Sequence, residues 1–313
     1  MSSQNVASED LIQQPLVSII MNCYNSERFL KKAIDSIYAQ TYSNWEIIFW
    51  DNASTDKSPQ IVKAYDGRIK YYRGEQTVPL GAARNLALKK ALGSYIAFLD
   101  CDDLYLPDKL ERQVRLMENE DCALTYGSAI IIDGNGNAIR KNRMKNHSGF
   151  IFDKLLVKYE INMQTVMIRR SIIDEEKLAF NSDLGYSPDY NLFMEIASRH
   201  PIGVMDEFIV KYRVLTDSLS RKSLHLASKE NKYTLNNILS KNPCLKMKYP
   251  QAFRSAFRKL HYYNAIDRIN NEEFRAARKE LMGIIFYSPQ YLILYFLTLL
   301  GFSKETILWL IRR

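Results

Sequence analysis

Tyr95-Ile96-Ala97-Phe98-Leu99-Asp100-Cys101-Asp102-Asp103 reads as an apolar strand that ends abruptly in three carboxylates. Side chains alternate along extended backbone, so Asp100 and Asp102 are expected on one side and Asp103 on the other. Two carboxylates on one side suit a divalent cation, Mg²⁺ or Mn²⁺, whose open positions phosphate oxygens of a substrate fill. The plain alternative is a strand end that caps the next helix, with Leu110, Val114 and Met117 on its buried face, and Asp103 is assigned that role. Asp-x-Asp is a common tripeptide, so its weight rests on its surroundings.

Working back toward the N-terminus, Leu16 to Met21 reads as a buried strand. Asn25 or Ser26 then caps a helix with Phe29, Leu30, Ala33, Ile34, Ile37 and Tyr38 on one face. Trp45 to Trp50 is a second strand, Ile61 to Tyr65 a short helix and Ile69 to Tyr72 a third strand. Gly81 opens a helix through Leu86, Leu88 and Leu92 that Gly93 ends. Such alternation specifies an α/β fold with a doubly wound, mostly parallel sheet, which gathers ligands at the carboxyl ends of its strands. The polar clusters Asn22 to Asn25, Asp51 to Asp56 and Asp100 to Asp103 stand at those ends.

Toward the C-terminus, a strand from Ala123 to Ile132 leads to a hairpin-type turn at Asp133-Gly134-Asn135-Gly136-Asn137. Further elements are expected at Thr165 to Ile168, Tyr190 to Arg199 (a helix) and Phe208 to Val214, with only helices beyond Ser220. The 313 residues, 47% hydrophobic, exclude a disordered or fibrous chain. Cys23, Cys101, Cys122 and Cys244 lack CxxC spacing, which argues against zinc or a disulfide framework and fits a reducing cytoplasm. Residues 1 to 14 read as a short disordered lead-in, without the marks of a signal peptide. The net charge of +8 divides into −4 over residues 1 to 210 and +12 over residues 211 to 313. No nucleic-acid motif accompanies the basic tail, so no nucleic-acid partner is assigned.

Taken in order, the motifs Val17-Ser18-Ile19-Ile20 ending in Tyr24-Asn25, Asp51 to Asp56, Gly81-Ala82-Ala83-Arg84-Asn85 and Phe98 to Asp103 resemble the family 2 glycosyltransferases. Ser187-Pro188-Asp189-Tyr190-Asn191-Leu192 and Tyr212-Arg213 with Ser218 and Ser220 extend the resemblance, which covers roughly Pro15 to Arg221. It implies a GT-A fold over 15–221 (nucleotide-binding half 15–120, acceptor half 121–221) and inverting transfer from a nucleotide-sugar donor, and it leaves the helical extension over 222–313 outside. On this resemblance Asp51 accepts the imide N–H of uracil, the structural alternative being an Asx-turn or helix cap, a role given rather to Asp56. Tyr24 flanks the base or is a packed aromatic. Arg84 reaches nucleotide oxygens, or is simply an exposed arginine on the helix's first turn. Asp100 meets ribose or metal, and Asp102 binds the metal that bridges the phosphates. Asp189 is the expected base for the acceptor hydroxyl, and it also suits a cap of its helix. Asn162, Gln164, Thr165 and Arg213 are candidates for the acceptor pocket.

The chain departs from the family pattern at four places. Asn22-Cys23 stands for Pro-Thr and Ala53 for a frequent glycine, and Leu215 stands where a metal-binding histidine is common. Pro188 also replaces a usual glutamate. Pro188 and Leu215 keep open a second class, a catalytically silent sugar-nucleotide-binding or scaffolding protein. A nucleotidyltransferase would need a Gly-rich triphosphate loop after the first strand, and Asn22 to Asn25 is not one. His147, His200, His225 and His261 stand outside the motifs and are assigned to surface or packing.

The apolar run Tyr291 to Leu300 falls short of the roughly 20 residues a membrane span needs. With Ile307, Leu308, Trp309 and Ile311 before Arg312-Arg313, it suits an interfacial helix on an anionic membrane surface. The alternatives are a helical hairpin folded onto the catalytic domain or a dimer seam. On the membrane reading the protein is cytoplasmic and peripheral, and its acceptor is a polyprenyl-diphosphate-linked saccharide.

Overall fold

The computed structural model describes residues 14–215 and 222–311. The lead-in before Gln14, Ser218, Ser220, Arg312 and Arg313 lie outside the described residues, as do the side chains of Trp309 and Ile311. Chain order through residue 215 is β1 (Val17–Cys23), α1 (Glu27–Tyr38), β2 (Trp45–Asp51), α2 (Ser58–Lys63), β3 (Ile69–Arg73), α3 (Leu80–Leu88), β4 (Tyr95–Phe98), β5 (Leu104–Tyr105), α4 (Lys109–Asn119), β6 (Leu124–Ile132), β7 (Ala138–Asn142), α5 (Phe152–Val157), a 3₁₀ turn (Met163–Thr165), β8 (Met167–Arg169), α6 (Arg170–Glu175), α7 (Pro188–Ala197) and β9 (Ile202–Arg213). From Leu224 on every described element is helical: α8 (Ala227–Lys241), α9 (Cys244–Lys248), α10 (Pro250–Asn270), α11 (Phe274–Met282), α12 (Pro289–Leu299) and α13 (Lys304–Ile311), with two short 3₁₀ turns.

One nine-stranded sheet runs β3-β2-β1-β4-β8-β6-β9-β5, and β7 pairs with β6. β1 lies parallel to β2 from Val17↔Trp45 to Cys23↔Asp51 and parallel to β4 from Val17↔Tyr95 to Ile20↔Phe98. The central strands read as continuous apolar runs because both faces are covered. Alternate residues feed opposite cores: Ile20, Ile48, Ile96 and Phe98 pack toward α3, whereas Ile19, Met21, Ile47, Phe49 and Ala97 pack toward α1. The core on the α3 side continues into the C-terminal helices through Leu235, Ile238, Phe253 and Ala256. A third cluster, with Ile266, Ile269, Leu281, Leu294 and Ile307, gathers the last helices on one another.

Four expectations change. β4 stops at Phe98, so Asp100 to Asp103 form a turn and strand alternation does not orient them. Asp103 does not cap α4: it is buried and accepts the Arg213 backbone N–H at 2.6 Å, while Asp108 precedes the helix. β9 begins at Ile202 rather than Phe208, because parallel pairing with β6 starts at Leu124↔Ile202 and continues through a bulge at Gly127 and Ser128. Gly93 serves less as a helix stop, since α3 ends at Leu88, than as a close approach: a Cβ there would lie 2.5 Å from the Leu16 carbonyl.

Candidate active site

The site is built around the turn that follows β4. Gln164 binds Asp100 at two points: its Oε1 accepts the Asp100 backbone N–H at 2.7 Å, and its Nε2 donates to Asp100 Oδ2 at 2.6 Å. The 3₁₀ turn carrying Gln164 is capped by Asn162, whose side chain accepts the Gln164 N–H at 2.9 Å. On the other side, Arg84 Nη2 lies 3.5 Å from Asp100 Oδ1. Arg84 is not the exposed first-turn arginine of the plain alternative; it is buried, with its guanidinium 5.4 Å from the Phe180 ring centroid. A planar cation held this way presents fixed donors to an anion.

Asp189 sits in the first turn of α7, directly after Pro188. Burial raises its pKa, the Arg84 charge opposes that shift, and Asp100 adds to it. Arg84, Asp100, Asn162, Gln164, Tyr186 and Asp189 line one cavity of about 410 Å³. Residues scattered over more than one hundred positions thus meet around a space of substrate size.

The loop before Asp189 is tied down from the C-terminal region. Buried Glu230 on α8 accepts the backbone N–H groups of Gly185 at 2.8 Å, Tyr186 at 2.9 Å and Ser187 at 2.9 Å. A carboxylate near a helix N-terminus also complements its dipole. No motif in the sequence marks Glu230, because its partners are backbone groups some 44 residues upstream.

Other expected site residues stand elsewhere. Asp51 is fully buried, and its carboxylate accepts from Ser54 N–H at 2.7 Å, from Tyr71 Oη at 2.6 Å and from Arg73 Nη1. The Ser54 bond is the turn contact of the alternative reading, and the Tyr71 and Arg73 bonds fix the carboxylate further. Tyr24 is 54% exposed at the end of β1, so it is not a packed aromatic. Thr165 is buried beneath the cavity, donating to the Asn162 carbonyl at 2.7 Å. Arg213 does not line the cavity either; its Nε donates to the Asp102 carbonyl at 2.8 Å and its Nη1 to the Asp133 carbonyl at 2.8 Å, with its guanidinium over Phe29. It braces the acidic turn from outside the cavity. Burial, and after it the charges of Asp102 and Asp100, raise the Asp103 carboxyl well above its ordinary range. Among the described residues no group of three or more His, Cys, Asp or Glu is placed to hold a metal ion. His200 pairs with Glu176 and His261 with Glu280, away from the cavity.

The glycosyl transferase family 2 model matches residues 18–176. The chain belongs to that family. A Methanocaldococcus jannaschii protein named as an uncharacterized glycosyltransferase is 35% identical over 211 residues, 65% of this chain and 72% of its own length. The Escherichia coli UDP-Glc:alpha-D-GlcNAc-diphosphoundecaprenol beta-1,3-glucosyltransferase WfgD is 34% identical over 66% of this chain and 79% of its own. Matches in Rickettsia are longer proteins, of which the aligned stretch spans 35%. Among solved structures, S. aureus TarS 1-349 in complex with UDP-GlcNAc superposes with a TM-score of 0.57 at 17% identity, over 81% of this chain and 83% of that one. The fold is therefore GT-A, and the enzyme is a glycosyltransferase.

Proposed function

We propose that this glycosyltransferase moves a sugar from a UDP-linked donor to a lipid-linked saccharide by a single inverting displacement. The observation that carries the reading is the meeting of Asp189 with the Arg84–Asp100 pair in one cavity. Residues 15–221 form the transferase unit, and residues 222–313 form a tail that supports it. Arg84 holds diphosphate oxygens and Asp100 the ribose or the metal, while Tyr24 lies against the base. Asp51 serves the base end by fixing Arg73 and the turn at Ser54. Asp189 takes the proton of the acceptor hydroxyl as that oxygen bonds to C1 of the donor sugar. The C1–O bond to the diphosphate breaks, and its electron pair leaves with UDP.

A divalent ion fits the donor chemistry of this turn, because Asp102 and Asp100 supply hard oxygen atoms. Asp100 also accepts from Gln164 and pairs with Arg84, so its place in the turn is fixed, and Asp102 follows it in the same turn. Phosphate oxygens and water complete such a shell when protein ligands are few. A Mg²⁺ or Mn²⁺ held by Asp102 and Asp100 would neutralise charge on the leaving diphosphate.

The lipid-linked acceptor is supported by the substrate in the WfgD name and by the tail's outer surface. No described helix is long and apolar enough to cross a membrane. The tail nevertheless exposes Phe286, Ile293, Phe296, Leu299 and Leu300, on a region of strongly positive charge. That combination suits peripheral attachment to an anionic membrane surface.

The deciding experiment is thermal denaturation with UDP and UDP-sugars, with and without Mn²⁺, on the wild type and Asp102→Ala, followed by a transfer assay. A Mn²⁺-dependent rise with UDP that Asp102→Ala abolishes, together with turnover, is the expected result. UDP protection with no transfer to any lipid-diphosphate saccharide would instead favour the sugar-nucleotide-binding protein.

A further inference from the structure

A second cavity of about 390 Å³ lies back to back with the first, and Tyr159, Tyr186 and Asp189 line both. Its far wall is supplied by the tail: Asn231 from α8, Lys259, Tyr262 and Tyr263 from α10, and Tyr291 from α12. Lys158 stands at the same wall. Burial, then the neighbouring charge of Lys158, push the Lys259 ammonium down to about 8. An anion between the two ammonium groups would relieve that repulsion.

The Tyr159 hydroxyl is buried and has no hydrogen-bond partner among the described residues. Its ring is held edge-on against Tyr190, with centroids 4.8 Å apart. A buried hydroxyl without a partner destabilises a fold unless something bound supplies the bond. Here the orphan borders both cavities beside the proposed base.

We infer that this tail-built cavity is the acceptor site, taking a saccharide joined to a diphosphate, with the sugar against the tyrosines and the diphosphate on Lys158 and Lys259. The inference rests on the transferase reading above. Tyrosine rings offer flat apolar faces with polar edges, the surface a sugar ring needs. Tyr159 bonds the incoming sugar and sets its hydroxyl toward Asp189, so it is a substrate-positioning residue. The outward side chains Ile293 and Phe296 share α12 with Tyr291, which places the cavity beside the apolar surface where a lipid chain would leave.

The test uses the full chain and a soluble probe, α-GlcNAc diphosphoryl decane, a shortened form of the acceptor in the WfgD name. Calorimetry measures probe and UDP binding for the wild type, Lys158→Gln/Lys259→Gln and Tyr159→Phe, and transfer is assayed with the same probe. The double lysine variant should weaken probe binding at least about tenfold, more at low salt than at high, with UDP affinity unchanged. Tyr159→Phe should lower kcat/KM for the probe about tenfold while raising Tm, since the orphan hydroxyl is gone. Equal probe binding by wild type and lysine variant overturns the inference, as does wild-type transfer by Tyr159→Phe. So does a wild type that binds UDP and not the probe. A wild type that binds no UDP sinks the donor reading itself, and the acceptor site with it.

Discussion

The two cavities that share Asp189 are built by different means. On the sheet side, charged groups are fixed by direct polar contacts, as a 2.6 Å hydrogen bond from Gln164 and a 3.5 Å ion pair with Arg84 fix Asp100. On the tail side, helices bring in tyrosines and lysines through packing. Charge must be placed rigidly where a diphosphate leaves, because electrostatic stabilisation depends on donors that do not reorganise. An acceptor needs shape more than charge, and a helical wall can change its lining without disturbing the sheet. The difference locates constancy of chemistry in the first region and choice of partner in the second.

The sharpest break of this comparison is Asp189→Asn, because that residue belongs to both sides. Transfer should fall on the order of 10²- to 10⁴-fold, with UDP affinity retained by calorimetry. Near-normal turnover would remove Asp189 from the chemistry. The wild-type profile should share the same logic: the base works when ionised, and burial has raised its pKa. Activity is then lost as pH falls through a value above the ordinary carboxylate range of about 4.

Glu230 tests whether the tail merely adjoins the sheet or holds its site in shape. Glu230→Ala strips the acceptor from three backbone N–H groups just ahead of Asp189. Stability should drop by on the order of 3 kcal/mol in denaturant titration, with kcat falling more than UDP affinity. A stable variant with normal kcat would separate the two regions. Arg84→Gln changes a residue of the sheet side, weakening UDP binding by roughly 10- to 100-fold through loss of a charge-assisted contact. It also removes a positive charge that favours the ionised Asp189, so the acid limb of the pH profile should move upward.

The same contrast explains what could be read from the chain. The sheet side was legible because strand ends occur in chain order, so Asp100, Asp102, Arg84 and Asp189 announce themselves in short motifs. Orientation is what the motifs do not carry: Asp51 has the expected residue type at the expected strand end, and its oxygens accept from Ser54, Tyr71 and Arg73. A motif records residue type and spacing and not which partner claims a carboxylate. Arg213 follows the same rule: its place in the Tyr212-Arg213 motif does not show that its guanidinium braces the acidic turn. Tyr159, Glu230 and Lys259 were invisible because their partners lie on other helices or are backbone groups. The first residues of β9 are not legible in the chain, because they are set by pairing with β6 rather than by their own alternation.

The smallest effect on the fold should come from the tail's outer surface, where the alternatives of membrane contact and internal packing meet on one helix. Leu294 is fully buried in the third cluster, whereas Ile293 is 58% and Phe296 48% exposed. Both readings of the apolar run are therefore partly realised: one face packs on neighbouring helices, and the other is offered outward. Ile293→Ser/Phe296→Ser changes only the second face, so stability should stay within about 0.5 kcal/mol per site. Transfer to the short-chain probe should also be kept, because neither side chain lines a cavity. Flotation with phosphatidylglycerol vesicles should fall sharply relative to wild type, while neutral phosphatidylcholine vesicles bind both weakly. If the variant floats as the wild type does, the outward face is not the membrane contact. The basic charge of the tail would then act alone, and raising the salt should release both proteins equally.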